Sequence, residues 1–128
     1  MRLGFLSKAT PILALCVATL LAGGCGEADQ PPTAISLEQI PAELGKVFAS
    51  AKGETKELSG LVVSAVQSKE FPKASSVLTA LAQRPDLTKI QSRTVAGAAM
   101  TINAKLLEAE SKGDPQAVET LNLRRMTK

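Results

Sequence analysis

Chemistry at neutral pH needs a nucleophile, a titrating group or a set of metal ligands, and this chain of 128 residues offers few of each. It has two cysteines, Cys16 and Cys25, and no histidine, tryptophan or tyrosine. Without the side chain whose ordinary pKa lies near neutrality, Ser-His-Asp and Cys-His nucleophiles and His-containing zinc sites are excluded. Glu54 and Glu57 stand at i, i+3 and share a helix face, as carboxylates working in a pair must. No second pair or deep apolar pocket accompanies them to move a pKa, so they read as a solvated face. No Gly-x-Ser-x-Gly elbow, phosphate-cradling glycine loop or EF-hand spacing is present. Only Phe5, Phe48 and Phe71 could stack on bases, which argues against nucleic-acid binding. No catalytic residue, cofactor, metal ligand or small-molecule substrate is expected. The one chemically distinctive group is the thiol of Cys25.

The elements around that thiol have a clear order. Met1 to Lys8 carries Arg2 and Lys8 and no acid, Ala9 to Leu21 is uncharged, and the small residues Ala22, Gly23 and Gly24 follow. A spanning helix needs about 20 apolar residues, and this shorter run suits the core of a secretory signal. Residues 1–24 are expected to be a cleaved signal peptide.

The stretch Leu21-Ala22-Gly23-Gly24-Cys25 resembles the lipobox of bacterial lipoproteins, in which the cysteine thiol is alkylated by diacylglycerol and cleavage then makes that cysteine the first residue. Small residues let the backbone enter the peptidase, and the thiolate is the only good nucleophile in the segment. The resemblance implies lipidation at Cys25 with palmitate-type chains and a place in the bacterial cell envelope. Gly26 stands where an Asp would retain such a protein in the inner membrane, which implies the periplasmic face of an outer membrane if the organism has one. Cysteine arithmetic agrees. Cys16 would leave with the signal, no disulfide could then form within the mature chain, and acylation consumes the remaining thiol. Two or more acyl chains anchor stably where one holds weakly.

Arg2 and Lys8 depart with the signal, so the 15 bases of the whole chain fall to 13 against an unchanged 12 acids. Three of those 13 are Arg124, Arg125 and Lys128. Cations are favoured there by the helix dipole; the functional alternative is contact with anionic headgroups or an acidic partner. Residues 25–123 retain ten bases against twelve acids, which removes the basis for a general anionic-surface partner. Residues 25–35 form the lipidated cysteine and a polar, Pro-containing tether, and 36–128 the folded domain.

Within that domain the apolar spacing is helical throughout. Ile40, Leu44, Val47, Phe48 and Ala51 form one stripe, with Pro41 suited to a first turn and Gly53 expected to end the helix. Leu58, Leu61, Val62, Ala65 and Val66 form a second stripe, and Ala74, Val77, Leu78 and Leu81 a third that Pro85 closes. Leu87, Ile90, Val95, Ala98, Ile102 and Leu106 mark the longest helix, with Thr88 and Gln91 at capping-box spacing. Gly97 inside that helix costs about 1 kcal/mol relative to Ala, and a close crossing with a neighbouring helix is the expected compensation. Gly113-Asp114-Pro115 supplies a stop, an N-cap and a first-turn proline before Ala117, Val118 and Leu121. The fold class is therefore all-α, a small antiparallel bundle or helix-hairpin array of four or five helices.

The pair from Leu58 to Pro85 resembles a tetratricopeptide repeat: Leu58, Leu61 and Ala65 lie on its first helix, Ala74, Leu78 and Leu81 on its second, with Pro85 at its end. Val62 replaces the usual Gly, and a second unit 34 residues on would place Glu108 where a small residue is required. Size, plan and resemblance together imply a lipid-anchored envelope protein whose helical domain mediates non-catalytic interaction with another envelope protein. The alternative is a structural spacer or surface lipoprotein with no binding groove.

Overall fold

A computed structural model describes residues 30–128; the expected signal peptide and the expected lipidation site, Cys25, lie outside the described residues. Five helices follow in order: α1 (Ile40–Val47), α2 (Gly53–Gln67), α3 (Phe71–Ala82), α4 (Lys89–Ser111) and α5 (Pro115–Met126). Among the described residues there is no strand.

Local chemistry sets most of the helix ends. Thr88 and Gln91 form the capping box, with the Gln91 N–H donating to Thr88 Oγ1 at 3.1 Å and the Thr88 N–H to Gln91 Oε1 at 2.9 Å. Such a cap contributes about 1 kcal/mol. Asp114 caps α5 by accepting from the backbone N–H groups of Gln116 and Ala117. The α2–α3 and α4–α5 connections share one design. Each preceding helix ends in a left-handed residue, Lys69 (φ 58°) or Gly113 (φ 82°). The next N–H then reaches back five residues, from Glu70 to the Ala65 carbonyl at 2.8 Å and from Asp114 to the Ala109 carbonyl at 3.0 Å. These bonds satisfy carbonyls that a helix end otherwise leaves open. Gly53 behaves differently from expectation. α1 stops at Val47, the chain turns through Phe48 to Ser50, and Gly53, at φ 58°, opens α2.

α1 packs on both α2 and α4, α2 on α3, and α3 on α4, closing a ring of four helices; α5 lies outside it against α3 and α4. Ile40, Leu44 and Phe48 enter from α1, Val62 and Ala65 from α2, Leu78 and Leu81 from α3, and Val95, Ile102 and Leu106 from α4, all buried. Each fully buried aliphatic side chain of this kind contributes about 1.5–3 kcal/mol. Two stripe residues do not join them. Leu61 remains 46% exposed and Ile90 66%, because each lies at the edge of its stripe, where the neighbouring helix falls away.

Gly97 also has a different partner from the expected one. No helix crosses there; the extended segment before α1 does. The Ile35 N–H donates to the Gly97 carbonyl at 3.3 Å, and Thr101 Oγ1 donates to the Ile35 carbonyl. Ile35 itself is half-buried against the core. The tether boundary at residue 35 therefore moves upstream, since Thr33 to Ile35 form a strap held on α4.

Candidate functional site

Polar side chains buried between helices are engaged in holding elements together. Gln91 does two jobs: its Oε1 completes the cap of α4, and its Nε2 donates to the Val47 carbonyl at 3.1 Å, tying the end of α1 to the start of α4. Thr55, 2% exposed, donates to Asp86 Oδ2 at 2.7 Å and accepts from Arg84 Nε at 3.2 Å. This locks the α3–α4 loop on the first turn of α2. The Thr55 hydrogen bond first, then a backbone hydrogen bond and the Arg84 charge, hold the Asp86 carboxyl below its ordinary pKa. Glu54 is ion-paired to Arg84, while Glu57 is exposed. The helix places the two carboxylates on one side without joining them into a working pair.

The two C-terminal arginines are likewise committed internally. Arg124 donates to Asn103 Oδ1 at 2.6 Å and to the hydroxyl of the buried Ser75, linking α5 to α4 and α3. Arg125 grips Glu110 with two bonds, at 2.9 and 3.1 Å. Both arginines also lie in the last turn of α5, where the expected dipole contribution applies, so these contacts add to that role. Glu108, between Lys105 and Lys112, is held below its ordinary pKa by hydrogen bonds from Lys112 first and Lys105 second.

Several depressions mark the surface of the described residues. One of about 530 Å³ separates the two hairpin turns and is lined by Phe71, Leu106 and Ala117 with Glu70, Asp114 and Glu119. Two of its three carboxylates have structural work: Glu70 pairs with Lys73, and Asp114 caps α5. A neighbouring cleft of about 450 Å³ lies between Leu37, Phe71 and Ala109 beneath Lys105 and Lys112. A groove of about 340 Å³ between α3 and α5 is lined by Ser75, Ser76, Thr79, Thr120, Leu123 and Arg124. The hydroxyls of Ser76, Thr79 and Thr120 donate to backbone carbonyls one turn earlier in their own helices, and none of the groove's lining residues is a carboxylate that could serve as a base. Among the described residues, no group of three or more His, Cys, Asp or Glu side chains is placed to hold a metal ion, and no helix is long and apolar enough to cross a membrane.

What remains distinctive on the folded surface is apolar. Met100 and Leu107, two turns apart on the outer face of α4, are 49% and 45% exposed, and Leu123 on α5 is 55% exposed. Both α4 residues lie outside the buried stripe of that helix, a signal present in the sequence as apolar residues off the main period. No family model matches the chain, and no curated protein and no solved structure matches it.

Proposed function

We propose that this is a lipid-anchored bacterial envelope protein, attached through Cys25, whose helical domain binds another envelope protein without catalysis through the outer face of α4. The observation that carries the surface assignment is the solvated pair Met100 and Leu107. Methionine adapts to irregular partner surfaces, and large apolar side chains kept in water on one helix face are a feature of interaction sites. A helix carrying apolar residues at i, i+3, i+4 or i+7 is the occupant that such a face fits.

The test is photocrosslinking in intact cells from residue 100 or 107, with exposed Ser64 on α2 as control. A discrete adduct with one envelope protein from the α4 positions, lost on Met100→Ser/Leu107→Ser, is the expected result. The spacer reading is favoured by the closed ring of α1 to α4, and equal background labelling from all three positions would decide for it.

A further inference from the structure

The near-neutral charge of residues 25–123 conceals a separation along the bundle. At one end lie the α1–α2 loop, the start of α2, the α3–α4 loop and the start of α4, held together by the Gln91–Val47, Lys56–Ala49 and Thr55–Asp86 bonds. That end carries Lys46, Lys52, Lys56, Arg84, Lys89 and Arg93 against three acids, Glu54, Glu57 and Asp86. At the other end, the hairpin turns and the strap-to-α1 entry carry four lysines against seven acids, counting residues 37–43, 67–73 and 105–119.

The strap gives this polarity a direction. Thr33 and Ile35 lie over Gly97, Ile35 then reaches Thr101, and Leu37 lines the cleft with Lys105, Glu108 and Lys112. The strap thus runs along α4 toward its C-terminus, and its upstream end points back toward the basic end. Cys25 lies eight positions before Thr33, a reach of at most about 28 Å, whereas the rise from Gly97 to Lys89 is only about 12 Å. Ile90, next to Lys89 in the first turn of α4, leaves 66% of its surface in water at this end.

Resting on the Cys25 anchor, we propose that the basic end of the domain lies against the anionic lipid surface that holds the acyl chains, with Ile90 entering the headgroup layer. Short attachment brings this end to the surface, Lys46, Lys52 and Lys89 meet the negative headgroups, and the Met100 and Leu107 face of α4 stays open to the side. The occupant is lipid rather than an acidic protein because the strap aims this end at its own anchor.

The test places a fluorophore on the acylated full-length protein at Ile90→Cys or, at the opposite end, at Lys73→Cys, and measures quenching by headgroup-level quencher lipids. The vesicles are phosphatidylcholine with a minor fraction of phosphatidylglycerol, or phosphatidylcholine alone, and acylation is verified by mass. In the anionic vesicles, quenching at position 90 should exceed that at 73, since each basic side chain favours this orientation by about five-fold near such a surface. The excess should fall in phosphatidylcholine alone and in Lys46→Glu/Lys52→Glu/Lys89→Glu, whose three positions are all exposed. Equal quenching at both ends of an acylated chain overturns this inference and leaves the anchor standing. A chain that carries no lipid overturns both. Protection of position 90 that depends on an added envelope protein rather than on anionic lipid overturns the lipid assignment in favour of a protein partner.

Discussion

Gly97 and Thr33 meet so closely that residue 97 has no room for a side chain: a Cβ there would fall well inside van der Waals contact with the Thr33 carbonyl oxygen and 3.0 Å from Ile35 Cγ1. A glycine that weakens α4 locally is what lets the strap lie flat on it. The contact ties the segment before α1 to the longest helix.

Gly97→Ala should therefore destabilise the domain by about 1–2 kcal/mol, since the overpacking cost exceeds the gain in helix propensity. Urea titration measures the loss, and hydrogen exchange should show it concentrated at Ile35 and Thr101. A variant more stable than wild type would mean that the strap is not held there.

Arg124 and Arg125 are neighbours in sequence with different work. Arg124→Ala removes charged hydrogen bonds to Ser75 and Asn103 and should cost about 1.5–3 kcal/mol. Arg125→Ala breaks an exposed, solvent-screened pair and should cost clearly less than Arg124→Ala. Equal losses in urea titration would contradict the interhelical role given to Arg124.

The two left-handed hairpin residues make opposite predictions. Lys69→Gly relieves a conformation that L side chains adopt at a cost, and should raise stability by about 0.5–1 kcal/mol. Gly113→Ala should lower it by about 1 kcal/mol. Thermal melts of the two variants check both signs.

Asp86 links pH to the joint between α2 and the α3–α4 loop. Its pKa lies below the ordinary 3.8 in the folded protein, chiefly through the Thr55 hydrogen bond. The stabilisation is fully present above the unfolded value and is lost as pH falls through the lowered folded value. The advantage of wild type over Asp86→Asn should stay constant near neutrality and shrink below pH 3.8, as read from melting temperatures across an acid series. A gap that persists unchanged into strong acid would contradict the assignment.

Periodicity and capping made the helices legible, down to the Thr88–Gln91 box and the Asp114 cap, because these are short-range effects. Tertiary partners were not legible. Gly97 announced a close approach, but its neighbour is an extended strap more than 60 residues away, and no local pattern encodes that distance. Ile90 fits a stripe by spacing and stays in water because the ring of helices ends beside it. The charges of residues 25–123 nearly cancel in a count along the chain, yet folding gathers bases from residues 46–56 and 84–93 at one end. The arginines at 124 and 125 read as a dipole-favoured tail because Ser75, Asn103 and Glu110 come to them only in three dimensions.

Lipid attachment at Cys25 is read from the mass of the protein recovered in the membrane fraction. The expected species is a chain beginning at Cys25 with diacylglycerol on its sulfur, and for Cys25→Ser an uncleaved precursor without incorporated fatty acid. Normal acylation and processing of Cys25→Ser would contradict it.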